Sequence, residues 1–364
     1  MENNSKFTIN SPNTVLANSL SEVIDLVQPR MKSKNFKEIV VSFGIQINGE
    51  PHMGTLILAT TTFLLAKKLK EKHGLPVKVY FEALDNAMYE NFMTEHDLYI
   101  KMFAQAFSEA DLIDMINGKY IPTFNDLSNL TAIEFSWGTY SKLQKTKIYR
   151  EVLLKSLKQW EKIKWMIDPT FGRLRVRIPC PKCNYTQRHN QDTKLIFSDL
   201  EKATIKSLCY QHGEYTSEIT VYNDTYVDLQ TFWRNVGKEV MHSHEEDTLT
   251  VIIKGADWYL GTQPVDWVLS TLGYHGELMP VRIFAPLILA DTGAKLSKTS
   301  IHNGDGTMKN IPNWFLELEQ FKQRYPEYLK TVTWLVEQFF NDPKNFYRSY
   351  TITEIERLLD QRFS

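Results

Sequence analysis

The sequence predicts an α/β protein built around a parallel sheet. Residues 38–82 read as strand, glycine-containing turn, helix and strand, and a similar alternation returns between Leu249 and Leu289. A third observation bounds the size: 364 residues with 43% hydrophobic content exceed the roughly 250–300 residues that one core usually serves. One main domain with an insertion and a small appendage is therefore expected.

Taken in order, Val15, Leu16, Leu20, Val23, Ile24 and Val27 are spaced for a leading amphipathic helix. Glu38 to Gly44 is a buried-strand pattern entering a turn, Gly54 to His73 is helical and closes at Gly74-Leu-Pro76, and Val77 to Phe81 is the next strand. Strand, helix, strand in that compass is the crossover unit of parallel sheets. From Asp97 to Asp168 the pattern reads as helix, broken between Gly118 and Asn125. Its lysine-rich run, Lys142 to Lys164, alternates with Ile148, Leu153, Leu157, Trp160 and Ile163, which describes an amphipathic helix with a solvated basic face more readily than a nucleic-acid contact. Residues 174–226 carry short β-like segments and all three cysteines. The α/β pattern resumes with a strand at Leu249 to Ile253, a helix at Pro264 to Leu272 and a strand at Val281 to Leu289, and the chain after Ser300 reads as helical.

Composition excludes several classes. Charged residues make up 23% and the net charge is -1, so neither a disordered chain nor a strongly basic nucleic-acid binder is indicated. The stretch Met1 to Asn13 lacks a secretion signal, and no apolar run approaches the roughly 20 residues of a membrane span. A cytoplasmic protein with no membrane partner is expected, and an odd number of clustered cysteines agrees with a reducing compartment.

Two segments carry candidate chemistry. The turn after the first strand includes Gly44, Gly49, Pro51, His52, Gly54 and Thr55. Glycines admit a nucleotide close to the backbone, a helix N-terminus offers N–H groups to phosphate, and a histidine there can donate to a phosphate oxygen as charge builds. The second is Lys295-Leu296-Ser297-Lys298-Thr299, in a glycine-containing loop after the last strand. Two lysines around a hydroxyl can reach a triphosphate and neutralise a leaving pyrophosphate. Alone, each segment is commonly a surface turn; the pair in this order is informative. A third group, Cys180-x2-Cys183 with Cys209-x2-His212, gives four ligands in two knuckles, which suits a closed tetrahedral structural Zn2+. His189 reads as a bystander.

The paired segments resemble the His-Ile-Gly-His and Lys-Met-Ser-Lys-Ser signatures of class I aminoacyl-tRNA synthetases. His52 and Gly54 match the first and third positions of the first, with Thr55 for its last histidine. Lys295, Ser297 and Lys298 match the second, with Leu296 for methionine and Thr299 for the last serine. Over residues 38–300 the chain is most similar to class I lysyl-tRNA synthetase, through Pro51-His52-Met-Gly54-Thr55, the partly acidic Glu82-Ala-Leu-Asp85-Asn86, the module at Cys180-Pro-Lys-Cys183, and Gly255-Ala-Asp257. Trp258 stands where that family has histidine.

The resemblance implies a Rossmann-like sheet of the class I synthetase type with an inserted zinc module and a short helical tail. The expected division is 1–173 and 227–300 for the two catalytic halves, 174–226 for the zinc insertion and 301–364 for the tail. It also implies ATP and Mg2+ as cosubstrates and formation of an aminoacyl adenylate, with lysine or a lysine-like amino acid favoured. His52, Lys295 and Lys298 would be catalytic; Gly44, Gly49, Gly54, Thr55 and Ser297 would complete the ATP site; and Glu82, Asp85 and Asp257 are candidates for the substrate ammonium. The stretch after Thr299 is too short for the anticodon-reading region of full lysyl enzymes. The acceptor is accordingly expected to be a small amine, nucleoside or carrier, with a tRNA acceptor stem as the second reading and a catalytically inactive binding or regulatory protein as the third.

Overall fold

The computed structural model describes residues 20–276, 279–295 and 311–363. Strand β1 (Glu38–Gln46) leads into helix α1 (Met53–His73), which returns to β2 (Val77–Leu84). A hairpin follows, β3 (Met88–Met93) and β4 (Leu98–Met102), then α2 (Glu109–Lys119), α3 (Ile121–Thr131) and β5 (Phe135–Thr139). Helices α4 (Lys147–Lys158) and α5 (Trp160–Ile167) precede an antiparallel sheet of β6 (Lys194–Ser198), β7 (Lys202–Cys209) and β8 (Gly213–Thr220). Helix α6 (Thr231–Ser243), β9 (Thr248–Gly255), α7 (Tyr259–Thr271) and β10 (Val281–Ala285) complete the α/β portion, and the longest tail helices are α8 (Tyr328–Phe340) and α9 (Ile352–Phe363).

The main sheet is Rossmann-like, parallel throughout, with strand order β10-β9-β1-β2-β5. Both faces are covered, so β1, β9 and β10 are buried along most of their length, with polar Ser42, Thr250 and Arg282 buried among the apolar residues. Helix α1 is buried nearly all round from Met53 to Ala66, and it ends at Gly74, whose left-handed φ of 66° suits a residue without Cβ. The chain leaves β1 toward β2 and β5, then comes back to build β9 and β10 on the other side. That reversal makes the carboxyl ends of β1 and β9 the topological switch point, where ligands enter open α/β sheets.

The tail packs on the α/β portion through Trp314, Phe321, Leu335 and Phe339, which share one core with α1 and the sheet. A second core joins α4, α5, α6 and α7 to Ala203, Ile205 and Ile219 of the cysteine-bearing module. The lysine-rich helices turn Tyr149, Leu153, Leu157, Trp160 and Ile163 inward, and Lys142, Lys145, Lys147 and Lys164 pair with surface acids.

Three expectations need correction. The span from Asp97 to Asp168 is not helical throughout. Leu98–Met102 is a strand because its partners lie far along the chain, with Tyr99 opposite Gln187 and Ile100 opposite Thr186, while Phe135–Thr139 pairs with β2 as the sheet edge. The strand expected from Val281 to Leu289 stops at Ala285, since Pro286 has no N–H for the ladder; Ile288 and Leu289 pair instead with Tyr350 and Thr351. Helix α7 starts at Tyr259, five residues before Pro264, and the proline is accommodated one turn in, above the exposed Leu260. Of the leading helix, Leu20 to Val27 contains a short 3-10 turn at Val23–Val27, and Val15 and Leu16 lie outside the described residues.

Candidate active site and metal centre

At the switch point the sheet opens into a cleft of about 400 Å³. Its lining includes Gly44, His52, Gly54, Thr55, Asp257 and Lys295, which brings together residues far apart in the sequence. His52 is the N-cap of α1: its Nδ1 accepts the Thr55 backbone N–H at 3.3 Å. An accepting Nδ1 places the imidazole proton on Nε2. Gly54 makes this geometry available, since a Cβ there would lie 2.9 Å from Cε1 and 3.1 Å from Nδ1 of His52. The histidine and the glycine therefore form one device, a ring folded over a helix N-terminus that itself favours negative charge.

Lys295 pairs with Asp257 at the cleft, which joins the loop after the last strand to the short turn that follows β9. Ser297 and Lys298 lie outside the described residues. Gly49 is not part of the lining; its carbonyl accepts the Tyr120 hydroxyl at 2.7 Å and so fixes the turn.

The other two acids expected near a substrate ammonium sit deeper. Glu82 is buried and ion-paired with Lys238. Asp85 is fully buried, and one of its oxygens takes the Ser141 N–H at 3.1 Å. Burial pushes its carboxyl up to about 6, against the pull of the Ser141 hydrogen bonds. Neither lines the cleft.

The sequence reading missed the wall opposite α1. Thr231, Arg234, Asn235, Lys238 and His242 of α6 and Lys254 of β9 line it. Arg234, Lys238 and His242 recur at four-residue intervals, the spacing of one helix face, and this was the available signal. Their acidic partners stand behind them. Asp228 takes Arg177 at 2.6 Å and Arg234 at 3.2 Å, and Glu239 pairs with Arg282, which also reaches Asp266 at 2.7 Å. Burial depresses His242 to about 4, helped by the Lys238 charge, and lowers Lys254 to about 8 despite the Glu239 carboxylate.

The cysteine cluster forms as expected. Cys180, Cys183, Cys209 and His212 bring their donor atoms within 4.8 Å of one another. Cys183 Sγ to Cys209 Sγ is 3.5 Å, and His212 Nδ1 lies 3.6 Å from Cys180 Sγ and 3.5 Å from Cys209 Sγ. Tetrahedral bonds of about 2.0–2.3 Å place their donors roughly 3.5–3.8 Å apart, so this set can hold a metal ion with no coordination position left open. His189 turns away to Asp97 at 2.7 Å.

No protein-family model matches the chain, and no curated protein does. Among solved structures it is similar to a glutamate-tRNA synthetase from Elizabethkingia anophelis, at 11% identity over 90% of this chain and 70% of that one, with a TM-score of 0.40. It is also similar to a tyrosyl-tRNA synthetase complexed with L-tyrosine from Archaeoglobus fulgidus, at 11% identity over 81% and 66%, TM-score 0.38. A product-bound parasite tRNA synthetase gives 12% over 95% and 83%, TM-score 0.40. Values this low do not define a family. Among the described residues no helix is long and apolar enough to cross a membrane.

Proposed function

We propose that the chain activates an amino acid with ATP, giving an aminoacyl adenylate and pyrophosphate. The observation that carries this reading is the meeting of His52 and Lys295 at one cleft, at the sheet's switch point, from segments more than 200 residues apart in sequence. In the reaction a carboxylate oxygen of the amino acid bonds to the α-phosphorus, the bond from that phosphorus to the β-phosphate oxygen breaks, and the electron pair leaves with pyrophosphate. The nucleophile is already anionic, so the protein has no proton to remove and contributes positioning and charge stabilisation. His52 Nε2–H and the α1 N-terminus serve the α-phosphate. Lys295, Ser297 and Lys298 serve the leaving group, with Mg2+ carried on the triphosphate. Gly44, Gly54 and Thr55 border the nucleotide, and Gly49 holds the turn.

The metal cluster is assigned to a structural zinc that ties β7 to the loop carrying Cys180 and Cys183. Its three thiolate donors and one imidazole are the chemistry zinc prefers, and a filled shell leaves no room for substrate. The acceptor proposed for the activated acyl group is a small amine, nucleoside or carrier, and the near-neutral charge of the chain favours this over a tRNA acceptor stem. The sequence resemblance points to lysine as the amino acid, whereas the charge on the cleft wall points to an acidic one. The direct test is mass-spectrometric detection of adenylate after incubation with ATP, Mg2+ and a panel of amino acids, with and without tRNA. Adenylate dependent on one amino acid supports the reading; none under any condition refutes it.

A further inference from the structure

We infer that the amino acid activated here carries an anionic side group, a second carboxylate, received by the wall made of Arg234, Lys238 and Lys254. The inference rests on the activation reading above and adds the substrate class.

The first ground is the order of charges. Arg234, Lys238, Lys254 and Lys295 line the cleft, and among the described residues Asp257 is the single acid that does. Asp257 is taken up by Lys295. Glu82, Asp228 and Glu239 stand behind the lining cations, where they hold them in place without meeting a ligand. A ligand therefore faces the cationic layer.

Lys254 is the second ground. Its Nζ is buried without a hydrogen-bond partner, and the carboxylate nearest to it in an ion pair, Glu239, is 3.7 Å away and already committed to Arg282. A buried ammonium left in this state is costly. A carboxylate in the cleft would supply the missing acceptor, and burial would make that contact count for more than it would in water.

Position supplies the third. Leu249, Val251 and Ile253 of β9 share the core that contains α1, whereas the Thr250 hydroxyl bonds to the His242 carbonyl and Lys254 pairs with Glu239, both on α6. Alternation along β9 thus sends Lys254 to the α6 face. The histidine-capped end of α1 lies on the other side. Phosphate would meet the helix end and the His52 N–H while the side-chain carboxylate meets the cationic wall, where a lysine side chain would meet like charge.

The test uses the full chain with ATP, Mg2+ and tRNA present and follows adenylate formation from aspartate, glutamate, asparagine, glutamine, lysine and leucine. We expect kcat/KM for one of the two acids to exceed that of its amide at least tenfold and that of lysine by more. Lys254→Met should raise KM for the acid at least tenfold and leave KM for ATP within twofold, and Lys254→Arg should recover most of the loss. If lysine or an uncharged amino acid is the preferred substrate, the activation reading stands and this inference is overturned. It is likewise overturned if Lys254→Met weakens ATP instead of the amino acid, since the wall would then serve phosphate. Adenylate from no amino acid removes both. Should Lys254→Met not fold, the acid-to-amide ratio of the unmodified protein still decides.

Discussion

Gly54→Ala separates the proposed chemistry from helix stability. The new Cβ would sit 2.9 Å from His52 Cε1 and 3.1 Å from Nδ1, while ordinary contacts begin near 3.4 Å. The imidazole must therefore move by about half an ångström or more, and the bond from Thr55 N–H, already 3.3 Å long, passes the limit of useful hydrogen bonding. Loss of a cap costs helices about 1 kcal/mol, and alanine in place of glycine within a helix returns about the same. Net stability should change by less than about 1 kcal/mol. The rate should not be spared, because a transition-state donor displaced on that scale costs about 10- to 100-fold, or roughly 1.4–2.8 kcal/mol. Urea unfolding and single-turnover adenylate formation measure the two quantities separately. A variant that keeps the full rate would refute the role given to the folded-over imidazole. A rate loss that merely tracks unfolding would refute it equally.

Three further expectations follow from other parts of the molecule. Protein purified without added zinc should contain about one zinc per chain, and Cys180→Ser should lose the metal and unfold more readily, because structural zinc contributes directly to folding; well-folded protein free of metal refutes the assignment. His242, depressed in the folded state to about 4 by burial and the Lys238 charge, binds a proton more readily unfolded. Its contribution should be constant above about 6.5 and fall as pH drops toward 4, by up to about 3 kcal/mol. The opposite slope of Asp85, whose raised carboxyl favours the folded state as pH falls through about 6, partly masks this. The measurement is therefore the difference in pH-dependent unfolding between wild type and His242→Gln, and a flat difference sinks the idea. Any tRNA bound should be held by phosphate contacts and released steeply by salt, as titrations at 50 and 200 mM salt would register; binding that distinguishes anticodons and resists salt contradicts this.

What the sequence made legible was what local pattern encodes. Glu38–Gln46, Met53–His73 and Val77–Leu84 follow from apolar runs and a glycine stop, and the Cys3His cluster follows from ligand spacing. What it hid depends on partners distant in the chain. Leu98–Met102 becomes a strand through Thr186 and Gln187. Phe135–Thr139 follows a helix that ends at Ala132, a non-glycine residue at φ 52°, so no glycine or proline announced the stop. The cleft behaved in the same way. His52 and Lys295 were marked by motif, but Lys254 sits in a strand that reads as plain core, Thr248–Gly255. The significance of Lys238 emerges only once α6 is laid beside β2, where it meets Glu82. That pairing also accounts for the position of Glu82, which presents no free carboxylate to the cleft.

The central claim is that this cleft transfers adenylate to an amino acid. It is tested most directly by single-turnover formation of aminoacyl adenylate from ATP by wild type, His52→Ala and Lys298→Ala, each verified as folded and with amino-acid binding measured in parallel. Wild type should form adenylate and each variant should do so at least tenfold more slowly, with amino-acid affinity little changed, because both side chains act on charge that develops only as pyrophosphate leaves. Full activation by folded Lys298→Ala would make its loop an ordinary lysine-rich turn and contradict the account.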